Sequence, residues 1–315
     1  MSLATNSTPP DVSVLVPAKD EAENLAEFVR LTREAMLPLP YAVELVIIND
    51  GSHDNSSHLL HELSVKHPFV RVVTHRSQRG IADALKSGAD LARGRVLVYY
   101  PADLQYLPAD IPALVAPIME GQADVVTGTK QGQYNKRFVS GIYNTLCRWL
   151  FGVRVKDLNS VKAYRREIMD VVPMRPDWHR FMVVIAAFQG FRLAERPVPV
   201  HPRHAGKSKF GIGRIPVGVL DLMSVWFQLR FGRKPMLFFG VWGAILVVLG
   251  FGVAVYAFIE RFVYHEGNRA FLYLVVLLVL AGIMLVGIGF LGEMIAGMRE
   301  EMRVLERELQ RKTDK

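Results

Sequence analysis

The stretch VELVIINDGS, residues 43–52, decides the fold. An apolar, β-branched run passes at once into the polar turn Asn49-Asp50-Gly51-Ser52. That is the pattern of a buried strand in an open α/β sheet, with its carboxyl end turned toward a ligand. Upstream, VSVLVP (12–17) reads as a strand ending at a proline. Residues 20–37 follow as a helix, with Leu25, Phe28, Val29 and Leu31 near helical spacing and Glu21 and Glu23 favouring its first turn. Downstream come a helix at 56–66, the strand FVRVVT (69–74), a helix at 80–92 and the strand RVLVYY (95–100). This alternation predicts a mainly parallel sheet with helices on both faces. Farther on, ADVVTG (123–128) reads as an edge strand and 134–150 as a helix with Arg137 and Asn144 on one face. WHRFMVVIAAFQG (178–190) reads as a mostly buried helix with Trp178 in the core. His179 and Arg180, at its start, face either the core or a ligand.

The rest of the chain has a different solvent in mind. Residues 236–259 (MLFFGVWGAILVVLGFGVAVYAFI) and 270–292 (AFLYLVVLLVLAGIMLVGIGFLG) carry no charge. At a rise of about 1.5 Å per residue, each is long enough to cross a hydrocarbon core of about 30 Å. The connector ERFVYHEGNR (260–269) is too short for a domain, so the spans form a hairpin. Arg230, Arg233 and Lys234 precede it, and Arg299, Arg303 and Arg307 follow it. The positive-inside rule then places the large N-terminal domain and both termini in the cytoplasm, on a multi-pass protein of the inner (plasma) membrane. Residues 211–235 are expected as an amphipathic interfacial segment. The tail, 293–315, is expected as a charged helix, solvated or paired with another subunit. Residues 1–11 are polar, with no secretory signal, and are expected as a disordered tail.

Across 315 residues the net charge is +8, with Lys and Arg scattered rather than in one tract. The single cysteine, Cys147, excludes an intramolecular disulfide or a cysteine-built zinc site and reads as packing. No GxGxxG fingerprint or GxxxxGK[ST] loop occurs, which disfavours a dinucleotide dehydrogenase and a P-loop NTPase. No nucleic-acid recognition motif occurs either. Asp103 and Gln105 stand just beyond the fourth strand, two apart. In an extended segment they point the same way, an oxygen pair suited to one hard divalent cation, though polar pairs after strands are common. Asp157, Asn159 and Ser160 are followed by Lys162, Arg165 and Arg166. The glycine-containing loop with His201, Arg203, His204, Lys207 and Lys209 suits either phosphate binding or anionic headgroups.

Taken together, these motifs resemble the inverting GT-A glycosyltransferases of family 2. More narrowly, they resemble the polyprenyl-phosphate sugar transferases, the group that includes dolichol-phosphate mannose synthase, in its membrane-anchored bacterial branch. VPAKDEAENL (16–25) resembles the opening VPxxNExENL, INDGSHDNS (48–56) the V-D-D-G-S-x-D-x-[ST] segment, and RGIADALKSGADLARG (79–94) the G-x-x-x-A-x-x-x-G segment. PADLQYLP (101–108) resembles DADLQxxP, with Pro101 in the place of the first Asp. GTKQGQYNKRFVSGIYN (128–144) resembles the G-[ST]-R segment and R-x-x-S helix. DLNSVKAYRR (157–166) resembles D-x-x-S-G-F-K-x-[FY]-R-R with one residue missing, and RHAGKSK (203–209) resembles R-x-x-G-x-S-K.

The resemblance implies a GT-A Rossmann-like catalytic domain over 12–210 and a metal-dependent transfer, with inversion, from a nucleotide sugar to polyprenyl phosphate. A uridine nucleotide is preferred to a guanosine one. It implies Mg2+ or Mn2+ on Asp103 and Gln105, and nucleotide contacts from Pro17, Ala18, Glu21, Asp50, Arg203 and Lys209. It places Arg137, Ser140 and Arg203 at the acceptor phosphate and Asp157 near the reacting centre. Partners are then the nucleotide sugar, the lipid phosphate and the membrane, with a homo-oligomer open and no nucleic acid. Rival readings are transfer to another membrane lipid, and a catalytically degenerate transferase serving as an assembly partner. A processive polymerase is disfavoured, because only two spans and no Q-x-x-R-W motif are present.

Overall fold

The computed structural model describes residues 9–132, 145–153, 155–202 and 215–313. The chain divides into two compact units, Met1–Leu222 and Met223–Lys315.

The first unit is built on a seven-stranded sheet: β1 Val12–Ala18, β2 Val43–Asn49, β3 Val70–Thr74, β4 Val96–Tyr99, β5 Val125–Gln131, β6 Lys162–Arg165 and β7 Leu193–Pro199. Their order is β3-β2-β1-β4-β6-β5-β7. β2 is buried along its whole length, as its unbroken apolar run requires. β1 pairs in parallel with β2 and β4, and β2 with β3. Strands β1 to β3 advance one way, so right-handed crossovers put α1 (Ala22–Met36) and α2 (Ser56–Lys66) on one face. The chain then returns past β1 to β4, which places α3 (Ile81–Leu91) on the opposite face. The packing agrees: α1 lies against α2 and α4 (Ile111–Met119), whereas α3 lies against β1, β2, β3 and the turn at Trp178–Phe181. The reversal of direction between β1 and β4 opens a crevice at their carboxyl ends.

Two expectations are corrected. The strand at 123–128 is not an edge: β5 lies between β6, to which it is antiparallel, and β7, to which it is parallel. The sequence reading missed both neighbours. KAYR (β6) looks like a basic run, and LAERPVP (β7) holds two prolines and two charges, which suits the outermost strand it forms. The helix expected at 178–190 is shorter. A 3-10 turn, Trp178–Phe181, leads into Met182–Phe188; Trp178 is buried as expected. Residues 145–151 are helical, and Cys147 within them is buried. The remainder of the helix expected at 134–150, with Arg137, Ser140 and Asn144, lies outside the described residues, as do Arg203, His204, Lys207 and Lys209.

In the expected interfacial segment the chain forms a helix, Ile215–Phe231. Its apolar side chains are exposed at Val217, Val219, Leu220 and Met223 while Leu222 and Val225 are buried, so its apolar surface is broader than one amphipathic stripe. The second unit contains two helices long and apolar enough to cross a membrane, Pro235–Phe262 and Arg269–Met302. They support membrane association. The second is one continuous helix from Arg269 to Thr313, about 68 Å long at the usual rise, so the charged tail extends the span without a break.

Candidate active site

The crevice between β1 and β4 is walled by the turns after β1, β2 and β4. The first two turns are laced together. Asp20 adopts φ 52, its backbone N–H donates to Ser52 Oγ at 2.9 Å, and its Oδ1 accepts from His53 N at 2.7 Å. Ala22 N donates to Asp54 Oδ2 at 3.1 Å, and Glu21 Oε2 accepts from Asn24 Nδ2 at 2.6 Å. Pro17 and Ala18 close β1, with Ala18 buried beside Asp50, whose N–H donates to Ala18 O at 2.9 Å.

Asp50 is almost fully buried and its carboxylate is already well occupied. Oδ1 lies 2.8 Å from His75 Nδ1 and accepts from Arg79 N at 2.8 Å, while Oδ2 accepts from Gly80 N at 2.9 Å. His75 Nε2 lies 3.0 Å from Ser87 Oγ, extending the chain of contacts to α3. Gly51 next to it has φ +69, and a Cβ there would stand 2.6 Å from the Ser77 carbonyl carbon. Asn49, in the place of an acid, is structural: Oδ1 accepts from Ser52 N at 3.1 Å and Nδ2 donates to Ser57 Oγ at 2.8 Å. The sequence singled out Asp50 but not His75, whose only cue is a polar residue just past the end of β3.

Beyond β4 the burial alternates. Ala102, Leu104 and Tyr106 are buried; Asp103 and Gln105 are half-buried. Leu104 takes φ 54, Gln105 N donates to Asp103 Oδ1 at 3.3 Å, and Tyr100 Oη donates to Leu107 O at 2.7 Å, which ties the loop down. Asp103 and Gln105 therefore share the accessible side of one turn. Among the described residues no group of three or more His, Cys, Asp and Glu could hold a metal ion. A carboxylate and a carboxamide oxygen still fit Mg2+ or Mn2+, which commonly take few protein ligands and complete their shell with substrate phosphates and water.

Asp157 reaches the same neighbourhood. Both Asp103 and Asp157 raise the pKa of the buried Tyr106 phenol, after the larger effect of burial itself. Asp157 Oδ2 lies 3.2 Å from Lys130 Nζ, and Oδ1 accepts from Asn159 N at 3.0 Å. Lys162 is fully buried below it. Its ammonium donates to Leu158 O and His179 O, each at 3.2 Å, and stands 5.8 Å from the centre of the Tyr99 ring. Burial pushes Lys162 down to about 7, against the opposing pull of Asp157. Burial likewise pushes His179 down to about 3, helped by Lys162 and Arg180. His179 is thus a neutral core group, and Arg180 pairs with Asp177 at 3.2 Å.

The basic run at 162–166 serves the fold. Arg165 Nε meets Asp124 Oδ1 at 3.0 Å, and Arg166 donates to the carbonyls of Ala89, Ala92 and Gly94 at the end of α3. With Arg95 they border a cavity of about 360 Å³ at the amino end of β4, the opposite end of the strand from Asp103.

The model of the family described as Glycosyl transferase family 2 matches residues 13–166. A curated relative, the dodecaprenyl-phosphate galacturonate synthase of Rhizobium johnstonii, is 31% identical over 296 residues, covering 91% of this chain and 88% of its own. Among solved structures, glucosyl-3-phosphoglycerate synthase of Mycobacterium tuberculosis in complex with Mn2+, UDP and glucosyl-3-phosphoglycerate aligns with a TM-score of 0.54. The identity is 17%, over 70% of this chain and 80% of the other. The same enzyme with phosphoglyceric acid gives a TM-score of 0.55 at 18% identity, over 70% and 80%. These two likenesses show the fold.

Proposed function

The chain belongs to glycosyl transferase family 2, and from that premise we propose that it transfers a sugar from a nucleotide sugar, UDP-linked, to polyprenyl phosphate at the cytoplasmic face of a membrane. The observation that carries this reading is the half-buried pair Asp103 and Gln105 at the β1/β4 crevice, in a chain that also holds two membrane-length helices. Support for the lipid acceptor comes from the relative named for a dodecaprenyl-phosphate product, which is matched over 91% of the chain. Support for a uridine nucleotide and Mn2+ comes from the structural neighbour that binds both.

Asp103 and Gln105 would hold the divalent cation, which supplies positive charge to the departing diphosphate. Pro17, Ala18 and Glu21 line the base and ribose side of the crevice. The occupied carboxylate of Asp50 acts there by fixing the turn at Arg79–Gly80. An oxygen of the lipid phosphate attacks the anomeric carbon as the bond to the diphosphate oxygen breaks, and the bonding pair leaves with the diphosphate. Attack from the opposite side inverts the configuration. A phosphomonoester has a second pKa of about 6 and is largely dianionic at neutral pH, so the acceptor needs positioning more than deprotonation. Arg137 and Ser140 are assigned to that task, Arg203 to the phosphates of both substrates and Lys209 to those of the nucleotide. Asp157, held by Lys130, orients the network beside the reacting centre.

The test is to incubate purified protein with polyprenyl phosphate, Mn2+ and a panel of nucleotide sugars, and to analyse products by mass spectrometry. A polyprenyl-phosphate monosaccharide is expected from one donor. Sugar appearing only on another lipid replaces the acceptor. Calorimetry with UDP and GDP that shows no nucleotide binding, with or without Mn2+, overturns the enzymatic reading.

A further inference from the structure

Past the uncharged run 270–292, the helix from Arg269 carries a second pattern that transfer chemistry does not need. Ile295, Met298, Met302, Leu305 and Leu309 recur at alternating spacings of three and four residues, the a and d positions of a heptad. The residues between them are mostly charged. Every seam residue is exposed, Met298 at 53%, Met302 at 56%, Leu305 at 58% and Leu309 at 63%. Toward the membrane the same register continues through Ile288 and Leu291, which are also exposed. The face packed on the preceding helix is a different one: Gly282, Val286 and Val279 meet Gly243 and Gly250.

We propose that this seam is where a second copy of the chain docks, forming a parallel coiled coil that extends from the membrane hairpin. A 3.5-residue repeat fits another helix in matching register, because knobs at a and d need holes at the same heights. Two copies anchored in one bilayer meet that condition at once. Their helices point the same way, and their seams leave the membrane at the same height and at high effective concentration. An unrelated helix would have to match both. The positions flanking the seam hold Arg299 against Glu301, Glu306 and Glu308, so association rests on the apolar contact and the shared anchoring, not on ion pairs.

Cysteine crosslinking of the full chain in lipid vesicles tests this. Cys147 is the only native cysteine and is buried, so the wild-type chain is the blank. Met302→Cys and Leu305→Cys are expected to give a disulfide-linked dimer under mild oxidation, several-fold more than Glu300→Cys and Val304→Cys off the seam. Equal yields at all four positions, or none at the seam, overturn the proposal. The double variant Met302→Glu, Leu305→Glu adds an independent reading by light scattering of the purified, detergent-solubilised protein. A fall in particle mass with nucleotide binding retained supports the seam. An unchanged mass, or a wild-type mass of one chain, overturns it.

Discussion

Lys130 reaches from the end of β5 to a carboxylate on another segment: its Nζ lies 3.2 Å from Asp157 Oδ2 and donates to Asn159 O at 3.0 Å. Both side chains are largely shielded, so the pair acts as a clasp between strand and loop. Removing one partner of a shielded pair leaves the other unsatisfied, at a cost of about 1–3 kcal/mol. Lys130→Met is expected to lower the thermal unfolding midpoint accordingly and to slow sugar transfer, with Lys130→Arg restoring much of both. Transfer that survives in Lys130→Met at the wild-type rate would detach Asp157 from the chemistry.

Asp103 is half-buried at a turn, where its carboxylate accepts the Gln105 N–H at 3.3 Å, so truncating it opens solvent-accessible space rather than a core cavity. Asp103→Ala is expected to keep the circular dichroism spectrum and the unfolding midpoint. It is expected to lose Mn2+-dependent UDP binding and to cut transfer by about 100-fold or more. Wild-type turnover in this variant would remove Asp103 from the metal site.

The parallel half of the sheet was legible because burial on both faces writes itself as uninterrupted apolar runs: VSVLVP, VELVII and RVLVYY all form strands near the expected bounds. The antiparallel insertion was not. β6 is Lys162–Arg165, and its polar ends are satisfied only by the tertiary fold, Lys162 by distant carbonyls and Arg165 by Asp124. The same limit applied at the crevice. Asp103 and Gln105 stood out from their place after a strand. That His75 would pair with Asp50 depends on where β3 ends relative to β2, a register that local pattern does not encode.

Buried Lys162 makes stability depend on pH in a defined direction. In the folded chain it loses its proton near pH 7, whereas its ordinary value is 10.5. Above pH 7 the unfolded chain therefore holds the extra proton, and stability rises with pH through that window, by at most about 1.4 kcal/mol per pH unit from this group. His179, its pKa lowered by burial, and Tyr99, its pKa raised by burial, stay neutral there. Lys162→Met is expected to flatten the slope measured by denaturant unfolding between about pH 7.5 and 9. An identical slope in both proteins would show that Lys162 is not the source. His179 adds the matching effect on the acid side. Its folded value is depressed to about 3 from 6.5, so the stability it contributes is lost as pH falls below 6.5.

Gly51 and Gly121 both hold positive φ, +69 and +71, but only Gly51 is crowded. Alanine at either position bears the left-handed strain of about 1–2 kcal/mol. At Gly51 the new Cβ also meets the Ser77–Gln78 backbone at 2.6–2.9 Å, which must move, and with it the turn that Asp50 holds. Gly51→Ala is expected to destabilise the fold clearly more than Gly121→Ala and to weaken nucleotide binding, which Gly121→Ala leaves intact. Equal effects on calorimetric UDP affinity would mean that the Asp50 turn does not shape the nucleotide site.

The two apolar helices approach closely through their backbones at Gly243 and Gly282. A Cβ on Gly243 would stand 2.7 Å from Gly282 O, and a Cβ on Gly282 would stand 2.7 Å from Gly243 O. In a hydrocarbon solvent, apolar side chains gain nothing by leaving lipid, so helix association relies on such close approach and on the dispersion contacts it allows. Gly282→Val forces the carbonyl of Gly243 and the side chain of Val247 away and is expected to splay the hairpin. Gly252→Val, where nothing lies within 4 Å of the new Cβ, is expected to leave it closed. Spin labels on the two helices, read by distance measurements in nanodiscs, distinguish the cases. Unchanged distances in Gly282→Val would show that the pairing does not depend on this contact.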